Sequence, residues 1–400
     1  MGATRVVLGL GGCVDYEIAL SPAVLADLAA TYRIRAAELT PPAEVTDERD
    51  LVVSILSYLR AGRGGEHFVT SAGALRAFAD RFPRRVTLGG TNVRAGIAMD
   101  RLGAPSTLHL VGVDDWFRRL LPDSVGHLCG DGTEPLGPHL IVQYEKGMRV
   151  RTSDLDLRAP APNRLIYVND PANETMWLSP RLGDLLAEAS IFLISGFNAV
   201  RDRAVLDDRL RSLRAQMQRL APGAVVYYED AGFHQPSFSR RVRDALLDTI
   251  DVYGLNEDEL QAHLGRTVDL LSVPEVAAAL ADLRTLIPVP TLVVHTACWS
   301  AAYGESAGRY AAGLTEGITL AATRYRCGDA YTAAEVARTR DLPRRTAAVG
   351  FAGELEERVG ATVRCLPGYE LEVAEPTTIG LGDTFVGGFL AAVARGWTGR

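Results

Sequence analysis

Four hundred residues, 47% of them hydrophobic, hold two or three domains of ordinary size, or one large α/β domain with an insertion. A formal net charge of -7 argues against a general nucleic-acid binder, and the acid excess is too mild for a disordered chain. Five cysteines, far apart and without a C-x-x-C, argue against a disulfide framework or a cysteine zinc site and fit a reducing compartment.

Residues 1–10 read as a short apolar strand without the basic region of a signal peptide. No stretch reaches ~18 uninterrupted apolar residues, so the expectation is a cytoplasmic protein with no membrane partner. Residues 5–12 form a buried strand ending in a glycine turn, and Asp15 lies just beyond it. Open α/β sheets bind ligands at the carboxyl ends of strands. Asp15 is therefore read equally as a ligand contact or a turn residue.

Residues 22–37 read as a helix after Ser21-Pro22, and residues 48–60 as an amphipathic helix with Leu51, Ile55, Leu56 and Leu59 on one face. A glycine-rich loop and a helix over 72–82 follow. The strand 85–88 runs into Gly89-Gly90-Thr91-Asn92, a glycine turn opening a helix of small residues. Its spare amides and Asn92 suit substrate hydroxyls, and tight helix–sheet packing is the competing reading. Arg94 is read as a contact to a phosphate or as solvated surface. Residues 107–112 are another core strand.

Between 137 and 169 the texture changes. Two β-rich runs, 139–145 and 164–169, have no helix between them, which predicts an antiparallel piece belonging to a small lid. From residue 189 strands and helices alternate again. Strands are expected at 191–194, 224–229, 252–256 and 292–296, and helices at 202–220, 242–250, 313–325 and 333–336. The alternation predicts an α/β fold, a doubly wound, mostly parallel sheet flanked by helices. The large domain is expected over 1–12, 45–135 and 171–400, with the lid over 13–44 and 136–170.

Gly380-Leu381-Gly382-Asp383 opens a helix that carries Gly387, Gly388, Ala391 and Ala392. Its unpaired amides and the positive end of the helix dipole suit a phosphate or a developing anion. Asp383 would take a proton from a nucleophile beside that anion. Alone, an Asp cap on a packed helix explains it better. Glu229 at a strand end and Asn256-Glu257-Asp258-Glu259 at the next add acid beside that turn, although Asn256 with Glu259 also fits a capping box. Acids around a phosphate-binding turn repel unless a cation intervenes, and Mg²⁺ suits a site of few carboxylates. Phosphoryl transfer needs a base, a cation and donors for the moving charge, and this order of motifs supplies all three.

These motifs resemble the ribokinase-like superfamily, and within it the ADP-dependent glucokinase/phosphofructokinase family. Gly380-Leu381-Gly382-Asp383-Thr384 is similar to its G-x-G-D block, which implies Asp383 as catalytic base and the turn at Gly380 and Gly382 as anion hole. Asn256-x-x-Glu259 resembles its N-x-x-E motif. Val294-His295-Thr296 resembles its nucleotide-side segment, so His295 and Thr296, with Leu381 and Gly382, are expected at the nucleotide. Ile194-Ser195-Gly196-Phe197-Asn198 resembles its I-S-G turn, and Val14-Asp15 and Gly89-Gly90 its sugar-binding turns, which puts Asp15, Gly89, Gly90, Asn92 and Asn198 at the acceptor.

The resemblance implies an enzyme that phosphorylates a hexose or hexose phosphate from ADP. Its cofactor would be Mg²⁺, held through Glu229, Glu259 and Asn256. Its partners would be small molecules, not nucleic acid, and it would be a monomer or small homo-oligomer. Two departures stand out. Tyr227 replaces the histidine of an H-x-E motif, and Cys13 replaces the asparagine of an N-x-D motif. They keep two alternatives open: an ATP-dependent ribokinase-type kinase, or an inactive sugar- or nucleotide-binding relative.

Overall fold

The strand Ile191–Ile194 is buried along its whole length, and the alternation of its side chains explains the architecture. Phe192 and Ile194 point into one hydrophobic core, Ile191 and Leu193 into another on the opposite face of the sheet. Helices Arg203–Met217, Pro236–Leu246, Val273–Leu286 and Thr346–Val359 cover the first face. Helices Thr91–Arg101, Ala311–Cys327 and Leu381–Arg395 cover the second. A strand buried on both faces is what a doubly wound sheet requires. The computed structural model describes residues 5–233, 235–373 and 376–396, so residues 1–4 of the expected first strand lie outside it.

The large sheet has nine strands among the described residues. Their order is Val363–Pro367, Trp299–Gly304, Thr291–His295, Val252–Asn256, Val225–Glu229, Ile191–Ile194, Val6–Leu8, Thr107–Leu110 and Gly126–Cys129. Pairing is parallel from Thr291–His295 onward. The first two strands are antiparallel additions at one edge.

A second sheet of five strands runs Gly65–Phe68, Asn163–Val168, His139–Tyr144, Cys13–Ala19, Arg84–Gly89. Asn163–Val168 and His139–Tyr144 pair antiparallel, as their adjacency in sequence predicts. One face packs Ile18, Leu140, Val142, Leu165 and Tyr167 against helices Pro22–Thr31, Glu48–Ala61 and Ala72–Ala79 in a third core. The alternate residues Asp15, His139, Ile141 and Ile166 face a cleft under the large sheet's strand ends. The expected boundary is therefore corrected. Residues 45–89, assigned to the large domain, supply two of the five lid strands and two of its helices. The apolar stripe of Glu48–Ala61 states that the helix is buried on one side, but not on which sheet. No helix among the described residues is long and apolar enough to cross a membrane.

Candidate active site

A cleft of about 720 Å³ separates the two sheets. Glu229, Asn256 and His295 reach it from consecutive strand ends, and Gly380–Asp383 from the start of a helix. Cys13 and His139 reach it from the lid. Unlike Glu229, Asn256 and His295, the glycine turn does not directly follow a strand. The preceding strand ends at Pro367, and an extended loop carries the chain to Gly380.

Gly380 is the N-cap of Leu381–Arg395 in the left-handed conformation, φ 65° and ψ 27°. A Cβ there would lie 2.6 Å from Arg94 Cδ, so both the turn and the close approach call for glycine. Arg324 Nε donates to the Ile379 carbonyl at 2.9 Å and fixes the turn from behind. The first-turn amides of Leu381, Gly382 and Asp383 have no intrahelical acceptor. The helix dipole adds positive potential to them. Asp383 stands in this first turn with its side chain a quarter exposed.

Arg94 organises the part of the cleft around Asp15. It is buried, which corrects the reading of solvated surface. Its Nη2 donates to Asp15 Oδ2 at 2.7 Å, and its Nε lies 3.8 Å from Asp383 Oδ2. Burial opposes the guanidinium charge, but the Asp15 and Asp383 carboxylates outweigh it and hold Arg94 protonated. Asp15 is thus tied through one cation to the candidate base. Gly90 and Asn198 line the cleft. Gly89 faces Asp15 so closely that any Cβ would collide with its carboxylate.

Asn92 is corrected. It is fully buried, and its Nδ2 donates to the carbonyls of His109 at 2.9 Å and Gly11 at 3.3 Å. It ties the helix start to two strands and does not line the cleft.

At the other end Glu229 accepts from His295 Nε2 at 2.8 Å and from the Tyr227 hydroxyl at 3.2 Å. Burial pushes the Glu229 carboxyl upward. Burial alone would lower His295, but the Glu229 charge and hydrogen bond raise it. His295 stacks on Phe385 with ring centroids 4.7 Å apart, and its Cε1 lies 3.1 Å from where a Cβ on Gly382 would stand. It braces the turn at Gly382 from below. Thr296 lines the cleft, but its hydroxyl accepts from the Cys298 and Trp299 amides and donates to the Trp299 carbonyl. That hydroxyl shapes its own loop.

Asn256 and Glu259 form the capping box: Asn256 Oδ1 accepts from the amides of Asp258 and Glu259, and Glu259 Oε2 from the Asn256 amide at 2.8 Å. Burial, then Asp230 and Glu229, push the Glu259 carboxyl up to about 8.

This donor set fits a divalent cation held through water. Both Glu229 oxygens and the Asn256 side-chain oxygen are engaged within the protein. Glu259 keeps one oxygen outside the capping box, and hydrated Mg²⁺ needs few direct ligands. Among the described residues, close-set donor atoms of three His, Cys, Asp or Glu residues occur only at Cys13, Asp15 and His139, on the lid side.

The sequence did not point to the Tyr227–Glu229–His295 network, to the Arg94 bridge between two carboxylates, or to Arg324. Tyr227 was visible only as a departure from a motif. Arg324 had no signal, since its role depends on the Ile379 carbonyl, 55 positions further along the chain and brought to it only by the fold.

This architecture is an α/β fold, a doubly wound sheet under a β-rich lid with a glycine–carboxylate turn at the strand ends. The chain belongs to the ADP-specific phosphofructokinase/glucokinase family, whose conserved region matches residues 4–328. A phosphofructokinase from Pyrococcus horikoshii OT3, solved with AMP, superposes with a TM-score of 0.78 at 16% identity over 98% of each chain. The last common ancestor of ADP-dependent phosphofructokinases from Methanosarcinales gives 0.72 at 14%, over 100% of this chain and 95% of the other. An ADP-dependent kinase in complex with fructose-6-phosphate and ADPβS gives 0.73 at 12%, over 99% and 95%. No curated protein sequence matches the chain. At these identities the structures speak for the fold, and the family match for an ADP-dependent sugar kinase.

Proposed function

We propose that the protein transfers the β-phosphoryl group of ADP to a hydroxyl of a hexose phosphate, releasing AMP. The observation that carries the reading is the arrangement of Asp383, the free amides beside it and Arg94 around one point of the cleft. Asp383 takes the proton of the acceptor hydroxyl. The acceptor oxygen bonds to the β-phosphorus as the bridge to the α-phosphate breaks. Charge developing on the transferred group falls on the amides of Leu381, Gly382 and Asp383. Arg94 keeps Asp383 and Asp15 in register, so that the acceptor held by Asp15 meets the base. Mg²⁺, held through water by Glu259 and Glu229, would neutralise charge on the donor phosphates.

A phosphorylated acceptor is favoured by Arg164 and Arg201, which line the cleft with the lid face of Phe68. The Arg201 guanidinium carbon lies 3.4 Å from the Phe68 ring centroid, which fixes the cation in place. Arg presents a fork suited to phosphate. The structural relative bound to fructose-6-phosphate and ADPβS is consistent with this choice. Five free cysteines fit a reducing, cytoplasmic setting.

The test offers the purified protein ADP or ATP with Mg²⁺, against glucose, fructose 6-phosphate and other sugars and sugar phosphates, and measures the phosphorylated product. The expected result is turnover with ADP and a sugar phosphate. Turnover with ATP alone would overturn the donor assignment. Turnover with free glucose and none with sugar phosphates would overturn the acceptor assignment.

A further inference from the structure

We propose that Cys13, Asp15 and His139 form a second metal site, for a soft divalent cation of the zinc class, on the lid side of the cleft. Cys13 and Asp15 are two apart on the strand Cys13–Ala19, so the pleat points both side chains to one face. The neighbouring parallel strand places His139 directly across from Asp15. On the other side the antiparallel register places Gly89 across from Cys13. A Cβ at residue 89 would lie 2.6 Å from Cys13 Sγ and collide with the Asp15 carboxylate, so glycine keeps the space between the donors clear.

The donor atoms converge. Cys13 Sγ is 3.4 Å from Asp15 Oδ1, and His139 Nδ1 is 3.9 Å from the same oxygen. All three atoms lie within 4.8 Å of one another. A tetrahedral zinc with ordinary bond lengths separates its ligands by roughly 3.3–3.8 Å, so a shift of a few tenths of an ångström completes the fit. The surrounding groups are already in place to orient the ligands. Asp15 Oδ2 is held by Arg94 Nη2 at 2.7 Å, which leaves Oδ1 to the cation. His139 Nε2 is buried without an aligned hydrogen bond and lies 3.3 Å from Asp170 Oδ2. Asp170 in turn accepts from Asn173 Nδ2 at 2.6 Å and the Gly137 amide at 3.2 Å. A carboxylate behind a histidine orients that histidine as a metal ligand.

Sulfur and nitrogen donors separate this site from the oxygen-only end at Glu259, which suits a hard cation. All three ligands line the cleft, so the fourth coordination position opens onto it. Asp15 also serves the acceptor in the reading above. On that reading, and only there, a bound zinc ion removes Asp15 from the acceptor and competes with it.

The metal alone is the first probe. Metal-free full-length protein, kept reduced without thiols, is titrated with Co²⁺. One equivalent should bind and give thiolate-to-cobalt charge-transfer absorption. The band should be absent in Cys13→Asn, which restores the residue of the resembled motif, and unchanged in Cys129→Ser. Asp170→Asn should weaken Co²⁺ about 10- to 100-fold while leaving the circular dichroism unaltered. A band that survives Cys13→Asn, or no stoichiometric binding, overturns the site. This arm needs no turnover, so it stands or falls apart from the proposed reaction. In the second arm Zn²⁺ should raise the acceptor KM of the natural protein at least tenfold but leave Cys13→Asn unaffected. An unchanged KM at full occupancy overturns the competition.

Discussion

At the scale of single residues, two carboxylates of the cleft have different parts. Asp383 is placed to act as a base, with Arg94 Nε 3.8 Å from its Oδ2. Asp383→Ala should abolish phosphoryl transfer while nucleotide affinity stays within about tenfold, because a base contributes mainly in the transition state. Calorimetric nucleotide binding beside a product assay checks both halves, and an active variant would refute the role. Glu259 is a different case. Burial first, then Asp230 and Glu229, raise it to about 8, above an unfolded value near 4.3. The folded state therefore binds the proton more tightly than the unfolded state. The stability contributed by protonation is complete at low pH and is lost as pH rises through about 8. Glu259→Gln keeps the capping box and removes the charge. In buffer without divalent cations it should raise Tm by a few degrees near pH 9 and hardly at all near pH 4. An equal change at both would show that the charge is not the cause.

At the scale of elements, the helix Leu381–Arg395 shows how packing overrides propensity. A Cβ on Gly387 would lie 2.5 Å from the Ala95 carbonyl oxygen and 2.6 Å from Ala98 Cβ, on the helix Thr91–Arg101. Alanine would gain about 1 kcal/mol of helix propensity there and lose more by forcing two helices apart. Gly387→Ala should therefore destabilise by roughly 1–3 kcal/mol. Gly350 is exposed inside the helix Thr346–Val359, with nothing within 4 Å of its Cβ position. Gly350→Ala should stabilise by up to about 1 kcal/mol. Urea denaturation of both variants tests the argument, and shifts of the same sign would defeat it.

The same contrast explains what the sequence makes legible. Apolar runs such as Ile191–Ile194 and the Asn256–Glu259 box carry their structure in their own residues. The strand Trp299–Gly304 does not: Ser300, Ala301 and Ala302 have weak strand preference, and pairing with Thr291–His295 on one side and Val363–Pro367 on the other makes it a strand. Asn92 was legible as polar at a helix start, but its partners, the His109 and Gly11 carbonyls, come from distant strands. Sequence pattern reports which residues carry chemistry. The sheet register decides which of them meet, as with Asp15 and His139.

At the scale of the whole molecule, the lid has its own core and the large sheet has two others. Val14 and Leu88 of the lid strands join one core of the large sheet and form the joint between the two, while the cleft itself is lined by Asp15, His139 and Arg164 from the lid and by Glu229 and Asp383 from below. An acceptor that touches the lid and a nucleotide that touches the helix start at Gly380 would each satisfy only one wall. Both together give contacts that pull the walls together, and excluding water would protect the donor from hydrolysis. Such contacts bias an open–closed equilibrium only if the closed state offers more of them, which a two-walled cleft does. The radius of gyration, about 21 Å for a chain of this length, should therefore fall by on the order of 1 Å when acceptor and an unreactive ADP analogue bind together. Either ligand alone should give a smaller change. Solution X-ray scattering measures this directly, and an unchanged radius in the ternary complex would mean that the cleft works as a rigid site.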